Sequence, residues 1–173
     1  MLHVLVGSRC NNNCIFCMEG DREGRSKHVT SQTSNDVQRM IEYFSDSKEI
    51  LFTCGEPTLN KELARYIFWA KRERYKTIAL ISNGRALASK DYLDKLIKLG
   101  LNKITISLHG HTAKLHDALT RTPGSFDQTV LGLRNISDIK LTIFIFPDQC
   151  QFLVKIRFSK RNYHAATGFE LLD

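Results

Sequence analysis

From Leu2 to Phe146 the chain alternates short apolar runs with segments of helical period, and this rhythm restricts the fold more than any other feature. The first run is His3–Gly7. A helix near Asn35–Ser45 follows, with Val37, Met40, Ile41 and Phe44 at i, i+3, i+4 and i+7. Glu49–Thr53 reads as a second strand, and Asn60 is placed to cap the next helix, whose Leu63, Ile67 and Ala70 face inward. Thr77–Ile81 is a third strand. Ser89 opens a helix carrying Leu93, Leu96 and Ile97, and Gly100 ends it. Lys103–Leu108 is a fourth strand, followed by a short helix near Thr112–Leu119 and by another that Ser125 caps and that runs to Ile136. Ile139–Phe146 is a fifth strand, apolar enough to expect cover on both faces.

Strands alternating with helices of about 10–15 residues predict βαβ crossovers and a parallel α/β sheet. Such sheets present chemistry at the C-terminal ends of their strands. The suggestive residues fall there: Cys10, Cys14 and Cys17 after the first strand, Cys54-Gly55-Glu56-Pro57 after the second, Ser82-Asn83-Gly84 after the third, and Ser107-Leu108-His109 after the fourth. Beyond Phe146 the rhythm breaks. Phe152–Phe158 looks strand-like, but only Pro147–Gln151 separates it from the fifth strand, and a parallel crossover needs about a dozen residues. It is expected to be an antiparallel hairpin partner or a tail outside the repeating sheet. Residues 1–146 are thus expected to form one core, with 147–173 a divergent extension and 159–173 poorly ordered.

At 173 residues, 42% hydrophobic and 25% charged, the composition is that of an ordinary soluble domain. No apolar run approaches the roughly 20 residues that span a bilayer. The first residues lack the basic leader and cleavage site of a signal peptide, so the cytoplasm is the expected location. The net charge of +7 is dispersed; its densest stretches, Lys71–Arg74 and Lys155–Arg161, read as solvated faces rather than a nucleic-acid surface.

Five cysteines are an odd number, and three of them crowd into eight positions. A disulfide framework would distribute an even set, so reduced thiols serving a metal fit better. Three thiolates on one loop can hold three irons of a four-iron cluster and leave the fourth open to a ligand, which makes a reaction centre rather than an electron carrier. A structural zinc site is the alternative, although zinc usually takes four protein ligands and no second knuckle follows.

Cys10-x3-Cys14-x2-Cys17, with Phe16 before the last cysteine, resembles the cluster motif of the radical S-adenosylmethionine (radical SAM) enzymes. The resemblance continues through Cys54-Gly55-Glu56-Pro57, similar to that family's Gly-Gly-Glu-Pro loop, and through Ser82-Asn83-Gly84 and Ile106–His109. It implies a partial (β/α) barrel, here of about five βα units, that binds a [4Fe–4S] cluster through Cys10, Cys14 and Cys17 and SAM at the open iron. Reductive cleavage of SAM would give a 5′-deoxyadenosyl radical that abstracts hydrogen from substrate. The resemblance further implies that Phe16 packs near the adenine, that Gly55 and Pro57 shape a loop against SAM, that Glu56 accepts from its ammonium group, and that Ser107 contacts ribose or carboxylate. Asn83 has two open readings, an approach to the ligand and membership of a common turn. His109, His111 and His116 could line the substrate cavity, with His111 and His116 read preferentially as surface residues.

Two features depart from the pattern. Cys54 replaces the first glycine of the loop, where a Cβ would strain a backbone of positive φ. The sixth βα unit is missing, and only Cys150 lies downstream, so no auxiliary cluster is expected. An open sheet edge would invite self-association. Three functions remain open on sequence: a radical SAM oxidoreductase acting on a peptide or small molecule with a flavodoxin- or ferredoxin-like reductant, a degenerate cluster- and SAM-binding module without turnover, and a zinc-stabilised interaction protein.

Overall fold

Each strand lies beside the next in chain order, and that order decides which face of the sheet is covered. The computed structural model describes residues 1–20, 33–136, 140–145 and 152–154. Its strands are β1 (Leu2–Leu5), β2 (Glu49–Thr53), β3 (Thr77–Ser82), β4 (Lys103–Leu108), β5 (Lys140–Ile145) and β6 (Phe152–Val154), in the order β1-β2-β3-β4-β5-β6. The first five pair in parallel. The helices are α1 (Ser34–Tyr43), α2 (Leu63–Arg72), α3 (Lys90–Leu99), α4 (Ala113–Thr120) and α5 (Ser125–Asn135).

Parallel crossovers are right-handed, so a strand order without reversal places every crossover helix on the same face. The burial follows. Val4, Ile50, Phe52, Ile78, Leu80, Ile104, Ile106 and Leu108 are buried with Leu63, Ile67, Leu93 and Leu96 of the helices in one continuous core. Of the alternate residues, Leu51, Thr53, Ile81, Thr105 and Ser107 are only half-buried, while the small Ala79 is buried. A sheet whose helices, among the described residues, all cover one face is the wall of a partial barrel.

Several local expectations hold and others are corrected. Ser89 caps α3, accepting from Tyr92 N, and Gly100 ends that helix at φ 127. Phe52 and Tyr66 stack across the β2–α2 contact. Phe44, expected inside, is 46% exposed, because α1 ends at Tyr43 and the chain turns away through Ser45–Ser47. Asn60 does not cap α2 directly, since the helix begins only at Leu63. Its side chain instead accepts from Glu62 N and donates to the Val6 carbonyl at 2.6 Å, tying that connection to the end of β1.

Ser125 is likewise the first residue of α5 rather than its cap. Gly124 precedes it at φ 78, and Asp117 of α4 accepts from Gly124 N, Phe126 N and Ser125 Oγ. Burial opposes ionisation of Asp117, but these bonds outweigh it and hold its carboxyl below the usual range. A side chain from another helix does the capping, which no local pattern reveals. β6 pairs antiparallel with β5, the hairpin of the two arrangements expected after Phe146. Both-face cover of the fifth strand and the state of 159–173 concern side chains or residues outside those described.

α5 packs so closely on the turn after β3 that a Cβ at Gly132 would fall on the Gly84 carbonyl oxygen. Backbone there cannot yield as a flexible side chain can. Gly132→Ala is expected to lower unfolding free energy by about 1–3 kcal/mol, read from urea denaturation followed by circular dichroism.

Candidate functional site

The loop after β1 carries Cys10, Cys14 and Cys17, and neighbouring elements hold it from two sides. On one side the turn after β2 docks onto its backbone. Val6 N donates to the Thr53 carbonyl at 3.0 Å, and Glu56 N donates to the Arg9 carbonyl at 2.8 Å. Gly55 lies between at φ 57, where an added Cβ would meet the Arg9 carbonyl oxygen at 2.6 Å and that of Gly7 at 2.7 Å. Only glycine permits this approach. On the other side α4 accepts from the loop: Asn13 N bonds to the Thr120 carbonyl at 2.9 Å and Ile15 N to that of Leu119 at 3.0 Å.

Glu56 is 3% exposed and caps the turn Pro57–Leu59. Its Oε1 accepts from Thr58 N at 3.1 Å, Thr58 Oγ1 at 2.5 Å and Ser82 Oγ at 2.7 Å, and its Oε2 from Asn83 N at 2.7 Å. Burial pushes its carboxyl above the usual range, against the pull of those bonds from Thr58, Asn83 and Ser82. Three of the four donors share Oε1, whereas Oε2 accepts only from Asn83 N and keeps acceptor capacity. Pro57 is buried at the start of the turn.

Asn83, 8% exposed at the end of β3, spans toward the cysteine loop. Its Nδ2 donates to Asn11 Oδ1 at 2.6 Å and lies 4.0 Å from Cys10 Sγ. Asn12 N donates to the same sulfur at 3.4 Å. Beneath them Arg85 Nη1 donates to the Asn11 carbonyl at 2.5 Å and to Asn12 Oδ1 at 2.8 Å. Asn11, Asn12 and Arg85 went unnoticed in the sequence. Arg85 follows the Ser-Asn-Gly end of β3, and that adjacency was the available signal. Ser107 is half-buried on the open face of β4, opposite Phe144 in register.

Phe16 meets His109 edge to face with ring centres 4.7 Å apart, which brings the cysteine loop to the end of β4. His111 is exposed as expected, but His116, expected at the surface, is fully buried between His109 and the edge of Phe126. The inner face of α4, not its solvent face, carries it. His116 Nδ1 accepts from His109 N at 3.0 Å, so its proton sits on Nε2. His109 Nδ1 and His116 Nε2 are buried without hydrogen-bond partners among the described residues. Burial, then the neighbouring His116, drives His109 down to about 4.

Cys10, Cys14, Cys17 and Cys54 are half-buried and none is in a disulfide. Three thiols on one loop fit a four-iron cluster in number and kind, since each of its corners takes a separate soft ligand. Among the described residues no three Cys, His, Asp or Glu side chains gather about a point that would hold a single ion. Cys54 adopts φ 81, the strained position expected of it. Burial, with the hydrogen bond and charge of Glu19, pushes its thiol up to about 11. Glu19 also accepts from Gly55 N at 3.0 Å, so the far end of the cysteine loop folds back onto this turn.

Comparison with known proteins agrees with this geometry. The family model described as the radical SAM superfamily matches residues 4–149. Among curated proteins the chain is 31% identical over 133 residues to a "Probable GTP 3',8-cyclase" of Methanopyrus kandleri, covering 76% of this chain and 41% of the relative. It is 28% identical over 142 residues to a protein of the same name from Methanocaldococcus jannaschii, covering 82% and 46%. The chain thus spans less than half the length of these relatives. Among solved structures, anSMEcpe with bound AdoMet superposes with a TM-score of 0.60 at 17% identity, covering 83% of this chain and 43% of the other. Streptococcus suis SuiB bound to S-adenosylmethionine gives 0.61 at 20% identity, covering 76% and 29%. These likenesses establish a shared fold.

Two outcomes are expected. Cys54→Gly should raise stability by about 1 kcal/mol by removing a side chain from left-handed backbone, seen as a higher Tm. His109 takes up its proton in the unfolded chain near its ordinary value of 6.5 but in the folded chain only near 4. The stability it contributes is therefore full above pH 6.5 and is lost as pH falls toward 4, at most about 3 kcal/mol. Urea unfolding at pH 7 and pH 4.5 should show a smaller loss in His109→Gln than in the natural chain.

Proposed function

Because the chain belongs to the radical SAM superfamily, we propose that it is the cluster- and SAM-binding core of an enzyme performing radical chemistry. The observation that carries this reading is the cysteine loop itself: three reduced thiols held across the C-terminal ends of the strands, with the Gly55 turn on one side and α4 on the other. Cys10, Cys14 and Cys17 would hold a [4Fe–4S] cluster. When bound, cluster and SAM supply one-electron cleavage of a carbon–sulfur bond and hydrogen abstraction from substrate.

The chain's own residues position and enclose. Phe16 and His109 offer an aromatic, neutral wall for the adenosyl part. The Gly55 and Pro57 backbone and Ser107 line the ligand side, and Asn83 steadies the first thiol. Glu56 acts from behind, fixing Asn83 and the turn. A flavodoxin- or ferredoxin-like protein would deliver the electron. For the substrate, the names of the curated relatives favour a nucleotide such as GTP over a peptide. A cofactor-binding core without turnover is the second reading, favoured by Cys54 at positive φ beside the site.

Anaerobic reconstitution tests both. About four irons and four sulfides per chain are expected, falling to background in Cys14→Ala. With dithionite and SAM the loaded protein should release 5′-deoxyadenosine. A fully loaded protein that binds SAM without releasing 5′-deoxyadenosine would establish the second reading, and a chain that takes up no iron or sulfide would reject both.

A further inference from the structure

We propose that Arg85 is a positioning residue whose charge sets the reduction potential of the cluster held by the cysteine loop, an inference that rests on the cluster-binding reading above. Arg85 opens the turn Arg85–Ala88, directly after Gly84 at φ 79. Its backbone N donates to Asn83 Oδ1 at 3.1 Å, fixing where the side chain starts. The guanidinium then runs under the loop. Nη1 donates to the Asn11 carbonyl and to Asn12 Oδ1, while Nε donates to Gln128 Oε1 of α5 at 2.7 Å.

Every one of these partners is neutral. Among the described residues the ion pairs belong to Arg65, Arg72 and Lys90, all on the helices' outer surfaces, and no carboxylate pairs with Arg85. A half-buried, permanently charged group is therefore clamped against Asn11 and Asn12, the two residues that follow the first thiol, with no carboxylate against it among the described residues. Two of the residues it touches reach the sulfur: Asn12 N donates to Cys10 Sγ, and Asn83 Nδ2, which bonds to Asn11, lies 4.0 Å from that sulfur.

Reducing a cluster ligated by three thiolates adds negative charge to a site that is already negative. Net charge nearby and hydrogen bonds to the sulfurs both tune the potential of such clusters. A fixed positive charge stabilises the reduced form, and partial burial protects that effect from salt screening. Arginine suits the task because its planar guanidinium fixes several donors at once, Nη1 to the two asparagine oxygens and Nε to Gln128, and never deprotonates. A purely mechanical role would need the fork but not the charge, and the two can be separated. Arg85→Lys keeps the charge without the fork. Gln128→Glu keeps Arg85 and its Nε partner but places a carboxylate against the guanidinium.

The natural chain, Arg85→Gln, Arg85→Lys and Gln128→Glu are reconstituted anaerobically, and the cluster is titrated with dithionite under mediators while electron paramagnetic resonance is recorded. Arg85→Gln is expected to shift the reduction equilibrium about tenfold toward the oxidised form, 59 mV for a one-electron couple. Gln128→Glu should shift it about threefold or more in the same direction, and Arg85→Lys should restore most of the loss. A Gln128→Glu potential within about twofold of the natural chain overturns the proposal, as does an Arg85→Lys variant displaced as far as Arg85→Gln. Should Arg85→Gln not fold or load, the exposed Gln128→Glu variant decides alone. Failure of the natural chain to take up iron and sulfide would overturn the cluster reading itself, whereas loaded proteins with unmoved potentials would overturn only the role of Arg85.

Discussion

A single buried carboxylate organises the ligand end of this sheet. Glu56 has left water almost completely, which is costly for a charge unless its oxygens are matched by donors. Thr58 supplies two, Ser82 a third and the Asn83 backbone a fourth, so the turn after β2 and the end of β3 become one unit. Everything that touches the cysteine loop from that side is hung on this unit. Asn83 reaches Asn11, Arg85 starts from Asn83, and Glu56's own N–H grips Arg9.

The loop is consequently suspended between two rigid supports rather than built on its own local structure. One support is the β2–β3 unit; the other is the C-terminal turn of α4, whose Leu119 and Thr120 carbonyls receive Ile15 and Asn13. α4 is itself fixed by Asp117, which caps α5, and by the Thr120–Ser125 hydroxyl pair at 2.8 Å. A site held this way keeps its ligand atoms in register with four strand ends, as a parallel barrel wall permits and an isolated loop would not. It also explains why buried polar groups gather here, including Asn12, which is 1% exposed, and His116, which is fully buried.

Much of the scaffold was legible because burial imposes a period. The helix pattern of Leu63, Ile67 and Ala70 reports one covered face, which is found covered, and the alternation of strands with helices reports the parallel sheet. The placement of cysteines, Gly55, Glu56 and Asn83 at strand ends followed from the same alternation. What failed depended on distant partners. Asn60 was drawn away from α2 by the Val6 carbonyl, Ser125 lost its capping task to Asp117, and His116 was buried by Phe126 and His109 rather than left in solvent.

The sequence by itself determined the parallel α/β rhythm, the thiol donor set and the ends of the strands at which polar residues collect, because hydrophobic period and residue chemistry are local properties. Tertiary structure alone decided that the helices share one face, that Glu56 is enclosed by donors from the ends of two neighbouring strands, and that an arginine grips the two residues after the first cysteine. Those outcomes depend on which backbones meet across tens of residues: the glycine at 55 that lets two turns touch, and the hydrogen bonds that buried groups must find wherever the fold delivers a partner.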